Sequence, residues 1–171
     1  MLRAVWKQHW NWIRWLFLVA VIGWGLMSFR GCQRDSYRWE MPKELQLGEM
    51  VGADFDANPL AWCGGGGFEI ADEVLAKIAA DGLSFVETMP LPPDYDLWRA
   101  TPAPTGWTSQ GSWAGLACVG NRTVIEAAFY GIQEPGNYYA VNSSFGSIIL
   151  VLPEDRMAVY THDEYANWSM R

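Results

Sequence analysis

The chain has 171 residues, 50% of them hydrophobic and 15% aromatic, which suffices for one domain with an apolar core plus a short appendage and excludes two ordinary domains. Its charge divides sharply: residues 1–29 carry Arg3, Lys7 and Arg14 and no acid, whereas residues 30–171 carry nine Lys and Arg against nineteen Asp and Glu. A body this acidic repels phosphate backbones, which argues against nucleic acid and for basic or neutral partners.

Residues 1–29 read as a cytoplasmic tail and a membrane anchor. The run from Trp15 to Phe29 is uncharged and mostly apolar, with Trp15, Leu16, Phe17, Leu18, Val19, Val21, Ile22, Trp24 and Leu26 forming its lipid-facing surface. Met27, Ser28, Phe29 and Arg30 make a poor cleavage site, which wants small residues, so the segment is expected to stay attached. Fifteen helical residues rise only about 22 Å against a hydrocarbon core of roughly 30 Å. A helix starting near Asn11, with Arg14 snorkelling to the interface, closes that gap, and the tryptophans at 6, 10, 12, 15 and 24 suit an interfacial belt. Membrane lipid is the partner this segment implies, with a groove in another protein as the alternative.

Cations flank the run on both sides and do not orient it. The cysteines help: Cys63 and Cys118 in a compact exported body are expected to form a disulfide, while Cys32 beside the membrane is left to join two chains into a dimer. The body is therefore expected on the periplasmic or extracytoplasmic side of an inner (plasma) membrane.

Residues 30–52 are polar and read as a stalk, residues 53–165 as the folded domain and residues 166–171 as a tail. The four glycines after Cys63 do not match a phosphate loop, because counting G-x-G-x-x-G from Gly64 lands on Glu69 and no Gly-Lys-Ser/Thr follows; they are expected to turn the chain flexibly. From Phe68 to Asp81, Ile70, Val74, Leu75 and Ile78 recur at helical spacing, which predicts an amphipathic helix stopped by Gly82. Leu83 to Thr88 reads as a strand. Residues 89–112 hold five of the nine prolines and no period, the composition of a long binding loop.

Gly120-Asn121 between Trp113–Val119 and Arg122–Tyr130 predicts a β-hairpin. Tyr138–Asn142, the apolar run Ser147–Leu152 and the alternating Met157–His162 complete a meander, with Ser147–Leu152 as a central strand covered on both faces. The expected fold is α+β: a transmembrane helix, then one amphipathic helix packed on an antiparallel sheet of four or five strands.

Little chemistry is legible. Asp54, Asp56 and Asn58 imitate a calcium loop, but Pro59 stands where that loop needs glycine, so no metal and no cofactor is expected. His162 is the lone histidine of the body, no serine sits in a nucleophile elbow, and no catalytic residues are assigned. Trp98, Arg99, Trp107 and Trp113, in or beside the proline-rich loop, are the candidate partner surface, since Trp and Arg dominate binding hot spots. Asn121, Asn142 and Asn167 begin glycosylation sequons. The expected function is that of a membrane-anchored protein-binding module, in one version an inhibitor or immunity-type protein against an envelope-acting toxin or hydrolase. A docking subunit of a membrane complex and an envelope hydrolase or glycan-binding module are the alternatives.

Overall fold

The computed structural model describes residues 12–25, 36–52, 63–104, 115–116, 119–142 and 146–163. Two compact units divide the chain, residues 1–36 and residues 37–171. In the first, residues 12–25 form helix α1. Its large apolar side chains are exposed, among them Trp12, Trp15, Phe17, Val19 and Trp24. Fourteen residues rise about 21 Å. Among the described residues no helix is long and apolar enough to cross a membrane, so the structure does not support the transmembrane helix; Leu26 and the rest of the expected anchor lie outside them.

The second unit is α+β, built on one antiparallel six-stranded sheet. Its strands are β1 (Leu47–Gly52), β2 (Cys63–Ile70), β3 (Arg99–Ala100), β4 (Tyr138–Asn142), β5 (Ser147–Leu152) and β6 (Met157–Asp163), in the order β1-β2-β6-β5-β4-β3. Helices α2 (Asp72–Asp81) and α3 (Leu83–Val86) pack on one face with Tyr37, Met41 and Leu45; helix α4 (Arg122–Gly131) packs on the other. The expectation of four or five strands and a single helix is thus corrected to six strands covered on both faces. The central strand is as read: all six residues of β5 are buried between β6 and β4, with Ile149 and Val151 in one core and Ile148, Leu150 and Leu152 in the other.

The glycines do not turn the chain. They form the middle of β2, fully paired with β6 from Cys63 opposite Asp163 to Glu69 opposite Met157. Close approach from both sides requires them. A Cβ on Gly65 would overlap the Tyr160 carbonyl oxygen, and one on Gly67 would come within 2.8 Å of the Met157 sulfur and a Val124 methyl. The predicted helix accordingly starts later, at Asp72, because Phe68 and Ile70 are core residues of β2. It ends at Gly82, whose φ of 57° suits glycine.

Two further expectations fail for local reasons. Leu83–Thr88 is not a strand, since Phe85 and Val86 donate backbone hydrogen bonds to the Gly82 carbonyl and close the turn α3. Gly120-Asn121 is no hairpin turn: the Asn121 side chain accepts from the Val124 N–H and caps α4. Val124, Ala128 and Ile132, spaced by four, then face the core, which the alternation of Ile125, Ala127 and Phe129 disguised. Of residues 113–119, the described Gly115, Leu116 and Val119 have 3-10 geometry.

The stalk is corrected as well. Tyr37, Met41 and Leu45 are buried in the core, a 3-10 helix spans Lys43–Leu45, and β1 pairs with β2, so the domain begins at Tyr37 and not near Ala53. Of the proline-rich stretch, residues 89–104 are described and anchored: Met89 and Trp98 are core residues, β3 pairs with β4, and the Thr101 N–H donates to the Asn137 carbonyl.

Candidate functional site

Register assembles a polar row at one end of the sheet. Asn142 stands opposite Ser147, Ser147 opposite His162, and His162 opposite Gly64. Alternation puts all four on the face that carries Tyr160 and Ile149. Gly64 leaves room for the Tyr37 hydroxyl, and the rings of Tyr37, Tyr160 and His162 lie 5.7–5.8 Å apart in all three pairings. Above the row, the Tyr95 hydroxyl donates to Ser147 Oγ at 3.0 Å.

Burial pushes the Tyr95 phenol up to about 12, with the Ser147 hydrogen bond pulling it back slightly. Burial also raises Tyr160, helped by the neighbouring Tyr95 and Glu40, and it raises Tyr37. All three remain neutral hydroxyls at ordinary pH, so they offer hydrogen-bond donors and no base. Ser147 is 3% exposed and already engaged by Tyr95, whereas an activated serine needs a base in reach and an open approach. As it stands, the row is a network that ties the loop of residues 89–98 and the segment around Tyr37 to the sheet end.

The second feature is open. Arg38, Trp39, Pro42, Lys43 and Leu47 line a groove of about 470 Å³ beside the edge strand β1. Its origin is the spacing of Tyr37, Met41 and Leu45, which point into the core and leave the intervening Arg38, Trp39 and Lys43 facing outward. Gln46, with φ of 47°, then reverses the chain into β1. The Arg38 guanidinium donates to the Gly48 carbonyl at 2.6 Å and lies 5.5 Å from the centre of the Phe68 ring, which fixes it at the groove wall. Trp39 is 78% exposed. Arg99, Arg122 and Arg156 pair with Asp96, Glu126 and Asp72, but among the described residues Arg38 and Lys43 have no carboxylate partner. An exposed indole sharing a groove with two cations that have no carboxylate partner among the described residues is chemistry for an anionic group.

The expected partner surface is not assembled. Trp98 is 5% exposed, and its indole N–H donates to the Met89 carbonyl, so it is a core residue and not a hot spot. Arg99 is exposed and weakly paired with Asp96 at 3.4 Å. Trp107 and Trp113 lie outside the described residues. Cys63 is disulfide-bonded; Cys118 and Cys32 lie outside the described residues. So does the calcium-like stretch Asp54, Asp56 and Asn58, and among the described residues no group of three His, Cys, Asp or Glu gathers to hold a metal. Of the sequons, Asn121 is committed to its cap and Asn142 is buried, while Asn167 lies outside the described residues. The polar composition of residues 30–52 conceals the groove in the sequence; the four-residue spacing of Tyr37, Met41 and Leu45 is the signal for it.

No protein-family model, no curated protein and no solved structure matches the chain.

Proposed function

We propose that the chain is a membrane-tethered binding module whose acidic α+β body stands outside the cytoplasm and engages a basic protein, in the manner of an inhibitor or immunity protein. The observation that carries the tether is α1: an apolar surface exposed all round the helix belongs in a bilayer or in another protein, and not in water. The disulfide at Cys63 supports an oxidising compartment for the body. A surplus of twelve acids, seventeen Asp and Glu against five Lys and Arg in residues 44–171, favours a basic partner and speeds its encounter.

Full-length chain made in a bacterium tests the tether. It is expected to stay with the membrane through alkaline carbonate extraction, and its body to be digested by protease added outside the inner membrane. Recovery of intact chain in the carbonate supernatant, or a body protected until the membrane is opened, would overturn this reading.

The same surface of α1 carries a second reading. Its exposed apolar side chains also suit the groove of a larger membrane subunit. Replacing residues 12–25 with an unrelated hydrophobic span separates the two: retained activity supports the tether, and lost assembly supports the docking subunit.

A further inference from the structure

We infer that the groove of Arg38, Trp39 and Lys43 seats anionic lipid headgroups and so docks the body on the bilayer that holds α1. This rests on the tether reading and adds an orientation to it.

Charge distribution is the first argument. With seventeen acids against five cations in residues 44–171, most of the body is repelled by an anionic membrane surface. Arg38 and Lys43 are the opposite sign and carry no carboxylate partner among the described residues. Glu40 and Glu44 neighbour them in sequence but do not line the groove, and the Glu40 charge acts on Tyr95 and Tyr160 of the polar row. The attraction is therefore short-ranged and needs headgroups in contact.

Composition is the second. A 78% exposed indole flanked by Arg and Lys is the combination that settles at a membrane–water interface, where the ring lies among headgroups and the cations meet phosphates. The groove volume of about 470 Å³ lies within the range of small-ligand sites.

Covalent reach is the third. Trp39 is covalently joined to α1, so the tether holds the groove at a high effective concentration of lipid. An acidic protein segment has no such advantage.

The test uses the full chain in lipid nanodiscs, with hydrogen exchange of the peptide covering residues 36–48 as readout. Discs containing phosphatidylglycerol are expected to slow exchange at residues 38–47 about tenfold relative to pure phosphatidylcholine. Raised salt and the variant R38Q/K43Q are expected to abolish that difference with the chain still in the disc. Because Arg38 also braces Gly48, K43Q alone serves as the second variant and is expected to lose part of the protection. Equal protection in both lipids, or none in either while the chain stays in the disc, overturns the headgroup seat and leaves the tether standing. Protection produced by a soluble polyglutamate peptide in phosphatidylcholine discs, with none from phosphatidylglycerol, assigns the groove to an acidic protein instead. A chain that does not enter discs overturns the tether and this docking with it.

Discussion

The Tyr37 hydroxyl occupies the space that a side chain on Gly64 would fill. Tyr37 comes from the segment that precedes the sheet, Gly64 from the strand run of glycines, and the contact closes the polar end of the core over His162. Gly64→Ala is expected to destabilise the fold by about 1–3 kcal/mol, the usual cost of overpacking. In a Tyr37→Phe background that cost shrinks, because the clashing oxygen is gone. Gly65→Ala costs more than Gly64→Ala, since its obstacle is the backbone carbonyl of Tyr160, which cannot swing aside. Urea unfolding of the four variants checks the order; an equal cost of Gly64→Ala with and without the Tyr37 hydroxyl would refute the overlap.

Asn121 serves two neighbours. Its side-chain oxygen caps α4 at Val124 N–H, and its amide presses on Gly52 of the edge strand β1. Asn121→Ala is expected to cost about 1 kcal/mol, and Asn121→Asp, which keeps the acceptor and suits the helix dipole, a few tenths. In a domain of this size the first lowers Tm by roughly 2–5 °C, readable by circular dichroism. Equal melting of both variants would mean that the cap is not what the residue contributes.

The legible parts of the fold were those whose signal is a property of one segment. The run Ser147–Leu152 announced a doubly covered strand, because no polar residue interrupts it and a strand buried on both faces has no use for one. Val74 and Ile78 announced α2 in the same way. What sequence reading missed depends on partners far along the chain. The glycines of β2 look like a hinge, yet Tyr37 presses on Gly64 from one face and Val119 and Val124 press on Gly65 and Gly67 from the other. Gly120-Asn121 satisfies a hairpin rule and a capping rule alike, and the four-residue spacing of Val124, Ala128 and Ile132 decides for the helix. Trp98 was placed on a surface because tryptophan and arginine in a proline-rich loop resemble a hot spot, yet the loop folds back and buries the ring. The groove is hidden in the same way, because the polar composition of residues 30–52 resembles a stalk while Tyr37, Met41 and Leu45 within it are core residues.

Alkaline pH should unfold the domain through its tyrosines. The Tyr95 phenol is raised from 10.0 to about 12, and Tyr37 and Tyr160 are raised too, all chiefly by burial. The unfolded chain releases these protons first, so the stability that Tyr95 contributes is full below pH 10 and is lost as pH rises through about 12, and Tyr37 and Tyr160 act in the same direction. Within that window the Tyr95 phenol lowers stability by about 1.4 kcal/mol per pH unit. Urea midpoints at pH 9, 10 and 11 are expected to fall, and Tyr95→Phe to make the fall shallower although it loses the Ser147 hydrogen bond. An unchanged slope in Tyr95→Phe would rule Tyr95 out as a contributor.

The disulfide at Cys63 is expected to join Cys118. A Cβ on Gly115 would lie 2.7 Å from the His162 carbonyl, and Val119 packs against Gly65, so the described residues on both sides of position 118 lie beside the end of the β2–β6 ladder where Cys63 sits. Closing that loop is worth about 4 kcal/mol in the chain-entropy account. Cys63→Ser and Cys118→Ser are expected to destabilise equally and to be insensitive to reductant, while Cys32→Ser keeps full stability. Loss of the reductant effect in Cys32→Ser instead would reassign the bridge.

Trp98 separates a core role from a binding role. It is buried against the cluster of Met89, Ile149 and Val151, and its indole N–H donates to the Met89 carbonyl. Trp98→Phe keeps most of the area but removes that hydrogen bond, a loss of about 0.5–1.5 kcal/mol. Trp98→Ala adds a large cavity and costs about 3–5 kcal/mol, a sizeable share of a typical domain's stability. Trp39→Ala, at a 78% exposed ring, is expected to leave the unfolding midpoint within about 0.5 kcal/mol of wild type. The two tryptophans therefore respond in opposite assays: changing Trp98 moves the urea midpoint, and changing Trp39 moves the exchange protection in anionic nanodiscs. A stable Trp98→Ala domain would return that ring to the surface where the sequence first placed it.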